Sequence, residues 1–193
     1  MATSQTSLTG KLLLATPNVD DPRFHQAVIF IVSDNHEGTI GLMINFPILD
    51  LSYADLLSQT GIPLPDKPPA SDKRKVHILS GGPMDTGHGF LLHSADYNLP
   101  ETVCVTPHFS VTSTTEALQD VANGQGPQEY LLILGYAGWE VGQLEKELAQ
   151  TAWLVIDADY DLLFNTSPDA CWTRAYGRLG IDPARLSATS GRA

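Results

Sequence analysis

Ala27-Val28-Ile29-Phe30-Ile31-Val32-Ser33 and Thr39-Ile40-Gly41-Leu42-Met43-Ile44-Asn45, joined by Asp34-Asn35-His36-Glu37-Gly38, form the stretch on which the fold class turns. Both runs are short, apolar and rich in β-branched residues. Each is bounded by turn formers, so both read as strands and not as helices. The five-residue connection ending in glycine has hairpin length and chemistry, which implies antiparallel pairing. Working outward, Gly10 to Thr16 is a third apolar run of the same kind, and Val76 to Leu79, Phe90 to His93, Thr102 to Val105, Phe109 to Val111, Glu129 to Tyr136 and Trp153 to Asp157 are further strands. Helical signals lie between these groups. Ser52 with Asp55 opens a helix that places Leu56 and Leu57 inward and stops at Gly61; Ser113 with Glu116 matches a capping box for a helix running toward Gly124. Gln143 to Ala149 is helical by propensity, and Ser167 followed by Pro168 starts a last helix with Trp172, Ala175, Tyr176 and Leu179 as its apolar stripe, ending at Gly180. Strands joined as hairpins with helices inserted between groups predict an α+β fold, not a doubly wound sheet.

Composition limits what such a fold can do. With 193 residues, 42% of them hydrophobic, the chain can bury a sizeable core and fits one domain, expected over 10–180. Residues 1–9 and 181–193 are expected to be flexible ends, and the proline-rich stretch 62–75 an exposed loop. Twenty-two acidic residues against eleven basic ones give a net charge of -11, which repels a phosphate backbone and argues against direct nucleic-acid binding. The N-terminal residues lack a basic or apolar signal region, and the longest apolar run, Ala27 to Val32, is too short to span a membrane. Cys104 and Cys171 form no C-x-x-C pair, which suits a reducing compartment. The expected setting is the cytoplasm.

Chemistry-bearing residues concentrate where glycine does. Ser80-Gly81-Gly82-Pro83 and Gly87-His88-Gly89-Phe90-Leu91-Leu92-His93 pack four glycines and two histidines into fourteen residues. Glycine allows a ligand or another strand to approach the main chain closely. Leu92 stands where a dinucleotide fingerprint needs its third glycine, and no phosphate-loop lysine pattern occurs. Ser80 beside two glycines with His93 as base could act as a nucleophile, but Ile78 occupies the first position of the G-x-S-x-G elbow. His77, His88, His93, Cys104 and His108 lack diagnostic metal spacing, and alternation sends His88 and His93 to opposite faces of a strand. Asp157, Asp159 and Asp161 begin like a calcium loop, yet Leu162 and Pro168 replace the required glycine and glutamate, which leaves a solvated strand edge and turn. No metal and no cofactor is expected. Trp139, before Gly142 and Gln143, reads as core more readily than as a pocket wall.

Leu14-Ala15-Thr16-Pro17, Gly41-Leu42-Met43-Ile44-Asn45-Phe46-Pro47, Gly81-Gly82-Pro83, Gly89-Phe90-Leu91-Leu92-His93 and Gly135-Tyr136-Ala137-Gly138-Trp139 with Gly142-Gln143-Leu144-Glu145 together resemble the YqgE/AlgH family, in order and spacing from about Gly10 to Leu179. The resemblance implies a bacterial, cytoplasmic, single-domain protein of mainly antiparallel strands in flattened, partly open β-barrels with a few peripheral helices, with no established activity or cofactor. One member's name reflects a regulatory role proposed in alginate production. Thr16 and His88 stand where the family often has Met and Arg, so an anion-binding role for that arginine does not carry over.

The resulting expectation is a non-enzymatic binding or regulatory protein acting through a protein or small-molecule partner near Asn45, Gly81, Gly82, Phe90, His93, Trp139 and Gln143. The alternative is a hydrolase-like enzyme with His93 as acid or base and the Gly81 and Gly82 amides as an oxyanion site.

Overall fold

A computed structural model describes residues 7–64, 77–183 and 186. Among these residues nine strands form one curled sheet: β1 (Lys11–Ala15), β2 (Val28–Asn35), β3 (Gly38–Met43), β4 (Ile78–Ser80), β5 (Met84–Ser94), β6 (Val103–Cys104), β7 (Phe109–Thr112), β8 (Tyr130–Trp139) and β9 (Trp153–Asp157). The helices are α1 (Tyr53–Gln59), α2 (Thr115–Ala122), α3 (Gln143–Ala149), α4 (Tyr160–Phe164) and α5 (Pro168–Arg178), with a 3-10 turn at Pro22–Phe24. Along the sheet the order is β6-β7-β5-β8-β3-β2-β1-β9, and every pair on that path is antiparallel. The α+β expectation holds, as does the antiparallel hairpin of β2 and β3. That hairpin is tighter than the sequence suggests: only His36 and Glu37 lie between strands, because Asp34 and Asn35 remain paired with Thr39 and Gly38.

Strand β1 shows why its residues read as a continuous apolar run. Leu12 and Leu14 face one core together with Val28, Phe30 and Leu42 and with Leu162, Ala175 and Tyr176 of α4 and α5. Leu13 and Ala15 face a second, with Ile29, Ile31, Trp139 and Leu144 of α3. A strand covered on both faces has no polar alternation to show. The curl brings distant strands together: Phe30 of β2 meets Phe109 of β7 at 5.8 Å between ring centroids, and Phe109 meets Phe164 at 6.0 Å. The sheet is thereby a half-barrel closed by α4 and α5. Helix α5 is fastened to β1 by Trp172 Nε1 and the Tyr176 hydroxyl, which both donate to the Ala15 carbonyl at 2.9 and 3.0 Å. A third core sits under α1 and α2, where Leu56, Ala117 and Val121 cover Ile78, Leu91 and Leu132.

Strand β8 is shared by the two halves of the sheet. Leu132, Ile133 and Leu134 pair with β5 on one edge and with β4, in parallel, on the other. Beyond them, Ala137 to Trp139 pair with β3, while the chain after β3 is displaced outward and bonds to β4 through Ile48 and Phe46. The chain therefore crosses β8 between Ser80 and Met84. The four residue steps from Ser80 to Met84 reach at most about 14 Å, little more than the roughly 10 Å of two strand spacings, so the crossing has to lie close on β8. Glycine makes this possible. A Cβ on Gly81 would stand 2.1 Å from the Gly135 carbonyl oxygen, and one on Gly82, at φ +151°, 2.2 Å from the Tyr136 carbonyl carbon. Opposite them Gly135, at φ +74°, yields the same space from the β8 side.

Three local readings need correction. The helix α2 is capped by Thr114 and not by Ser113: the Thr114 hydroxyl accepts from Ala117 N at 3.3 Å, and with hydroxyls at four successive positions, 112–115, the pattern alone does not single out the cap. Asp157 to Asp161 is not all strand edge and turn, since Asp159 caps the short helix α4 by accepting from Leu162 N at 2.9 Å. Phe90 to His93 is the second half of a longer strand, β5, interrupted by an exposed bulge between Met84 and Gly89. Of the stretch 62–75, positions 65–75 lie outside the described residues, and Ile62 is buried beside Leu57 and Ala122. Residues 1–6 of the N-terminal segment also lie outside them; Leu8 and Thr9 are bonded to Asp34, and Ile181 packs on the core.

Candidate functional site

The seven residues singled out from sequence fall into two groups. Asn45, Gly81, Gly82 and His93 are engaged by the fold itself. Asn45 Oδ1 accepts from Val28 N at 2.8 Å while its Nδ2 donates to the Gln26 carbonyl at 2.9 Å, which ties the loop before β2 to the end of β3. Gly81 N donates to the Leu134 carbonyl at 2.7 Å and its carbonyl accepts from Met43 N at 2.9 Å. His93 is 0% exposed. One ring nitrogen meets the Ser94 carbonyl at 2.8 Å, the other the Thr112 hydroxyl at 2.9 Å, which in turn meets Thr102 Oγ1 at 2.7 Å. Burial holds the His93 imidazole below its ordinary value, favouring the neutral ring. The expected oxyanion arrangement is thus not assembled: the Gly81 amide is already bonded, and the imidazole is sealed from any cleft.

Phe90, Trp139 and Gln143 reach open space, in two different places. Phe90 borders a cleft of about 330 Å³ with Leu56, Leu118 and Thr112–Thr115 at the start of α2, and its ring lies tilted against that of His88 at 4.7 Å between centroids. Trp139 and Gln143 line a second cleft of about 400 Å³ between α3, the Asn18–Phe24 segment and Met84. Trp139 serves both roles weighed for it, being 6% exposed within the second core and contributing to the cleft wall.

The residue that organises this second cleft is Glu147. Gly142, in the left-handed region at φ +78°, turns the chain out of β8 into α3, so Gln143 and Glu147 stand one turn apart on the side facing β8 and β9. Glu147 Oε2 accepts the indole N–H of Trp139 at 2.9 Å and of Trp153 at 2.7 Å, and its Oε1 accepts from Gln143 Nε2 at 2.9 Å. The two indoles meet edge to face at 6.0 Å, and Phe24 closes on Trp153 at 5.8 Å. Two tryptophans fourteen residues apart, with an acid six residues before the second, are the signal that could have found it. Across the opening, Arg23 forks onto Asp21 through Nε and Nη2, at 3.0, 3.1 and 2.6 Å. That contact holds the Asp21 carboxyl below its usual range. The cleft offers binding surface: aromatic and thioether walls, a fixed carboxylate and a fixed amide. Among the described residues, no group of three or more His, Cys, Asp or Glu side chains could hold a metal ion, and no helix is long and apolar enough to cross a membrane.

The AlgH-like family model matches residues 12–184. A UPF0301 protein of Cereibacter sphaeroides is 42% identical over 187 residues, 96% of this chain and 99% of that one, and one of Rhodospirillum rubrum is 41% identical over 96% and 94%. The solution structure of the AlgH protein from Pseudomonas aeruginosa covers the full length of both chains at 38% identity with a TM-score of 0.76. The Corynebacterium diphtheriae protein DIP2367 shares the fold alone, at 17% identity and a TM-score of 0.73. The chain belongs to the AlgH-like, UPF0301 family.

Proposed function

We propose that this AlgH-like protein is a non-enzymatic binding protein that takes a small ligand into the cleft beneath α3 and acts on a protein partner in a regulatory capacity, in the cytoplasm. The observation that carries the reading is the convergence of Trp139, Trp153 and Gln143 on Glu147 at the floor of a cleft of about 400 Å³. The two indoles, the Gln143 amide and the Glu147 carboxylate hold one another in place, which suits recognition: a preorganised site loses little side-chain freedom when it fills. Reaction chemistry has less support. A hydrolase needs a base in reach of both nucleophile and substrate, and His93 lies in the interior with both nitrogens bonded. Direct action on nucleic acid is disfavoured by the net charge of -11. Cys104 and Cys171 are unpaired thiols, consistent with a reducing compartment.

The test is an amide and indole NMR titration of labelled protein against pooled metabolites and nucleotides. Saturable shifts confined to Asn18–Phe24, Trp139–Gln150 and Trp153 support the reading. Saturable shifts centred instead on His93 and Gly81, or silence across the cleft, overturn it.

A further inference from the structure

The cleft carries an unbalanced charge, and this deepens the reading above, on which it rests. Glu147 is held by three donors, the two indole N–H groups and the Gln143 amide, all of them neutral. They fix the carboxylate without cancelling its charge, and among the described residues no ion pair reaches it. A carboxylate presents about four acceptor sites. Oε2 receives two donors and Oε1 one, so one site on Oε1 remains. Gln143 cannot turn to fill it, because its own Oε1 accepts from Glu140 N at 3.1 Å. The other charged groups bordering the cleft are Asp20, Asp21 and Arg23, and the last two neutralise each other in a forked pair. Glu147 and the exposed Asp20 are left, both negative. Phe24, Met84, Trp139 and Trp153 supply the apolar part of the wall, beside the neutral polar side chains of Asn18, Gln143 and Gln150. We infer that the cleft is a site for a small organic cation, an alkylammonium or guanidinium on a short apolar body, whose N–H group donates to the remaining acceptor site of Glu147 Oε1 while the body lies against Met84 and the aromatic rings. A charged donor matches a charged acceptor with the stronger class of hydrogen bond, and the rings add attraction for a cation that a neutral ligand would not feel.

The test follows the indole N–H resonances of Trp139 and Trp153 while n-butylammonium, agmatine, n-butanol and butyrate are added in turn at fixed ionic strength. Saturable shifts with the two cations, weakened roughly tenfold in Glu147→Gln, are expected. That variant keeps an amide oxygen for both indoles, and unchanged backbone amide shifts away from the cleft in the free protein verify its fold. Equal response to butanol or butyrate overturns the cation assignment while leaving the cleft as a ligand site. No response to any of the four removes the cation assignment, and silence also toward the metabolite pools removes the ligand site with it. Cation binding that is indifferent to Glu147→Gln shows the carboxylate to be a structural clamp for the tryptophans, and the inference falls.

Discussion

The crossing at Gly81-Gly82 and the cleft at Glu147 are the two regions where this molecule brings unusual residues together, and they do so for opposite ends. At the crossing, backbone meets backbone: Gly81, Gly82 and Gly135 exist to let one strand lie on another, and the space a ligand would need is filled by β8. At the cleft, side chain meets side chain, and about 400 Å³ stays open. Glycine density reports close approach without saying what approaches. A lone carboxylate held by two indoles is quieter in sequence and closer to what a ligand would use.

The comparison breaks first, if at all, at Gly82. Gly82→Ala puts a Cβ within 2.4 Å of three backbone atoms of Tyr136 and Ala137, so we expect loss of more than about 4 kcal/mol or failure to fold, read by urea unfolding. A mild effect would mean that the crossing can lift and that the stretch is free for a ligand after all. His93→Ala should cost about 3 kcal/mol through the lost packing and the unpaired Thr112 hydroxyl. His93 also gives a pH signature. Its pKa is lowered in the folded state from an unfolded value near 6.5, so below that value the unfolded chain binds more protons. Its contribution to stability is complete above pH 6.5 and declines as pH falls toward the folded value; His93→Gln should flatten that part of the stability curve. At the cleft, Glu147→Ala strands two indole donors and should cost about 2 kcal/mol in the same unfolding assay, whereas Glu147→Gln should cost under about 1. The smallest effect sharpens the contrast. Gly142→Ala, at φ +78° with nothing within 4 Å of its Cβ, should cost only about 1 kcal/mol, the conformational term without the collision.

What the chain disclosed and withheld follows the same division. The hairpin of β2 and β3, the boundaries of α3 and β9, and the Ser52 capping box with Asp55 were legible because each rests on a local pattern of propensity, turn residues or caps. The family resemblance supplied the half-barrel, which periodicity alone does not contain. Hidden from local reasoning were β4 wedged beside β8 and the convergence on Glu147, since both depend on which strands become neighbours across the curl. Trp139 and Gln143 were named from their place before a helix; their partners Glu147 and Trp153 were not. Asn45 was named as a binding residue from its place in the motif; the structure shows its amide stapling the loop before β2 to the end of β3.

The shared strand also dictates an order of assembly. In the finished sheet residues 78–94 make an open clip, β4 and β5 joined by three residues and set two strand spacings apart, and the strand that fills the slot between them is made only from residue 130 onward. On the ribosome, at about 5–20 residues per second, the clip waits seconds with two unsatisfied inner edges before β8 can enter. Slow folding is the expected cost of a sheet built around a strand that arrives late.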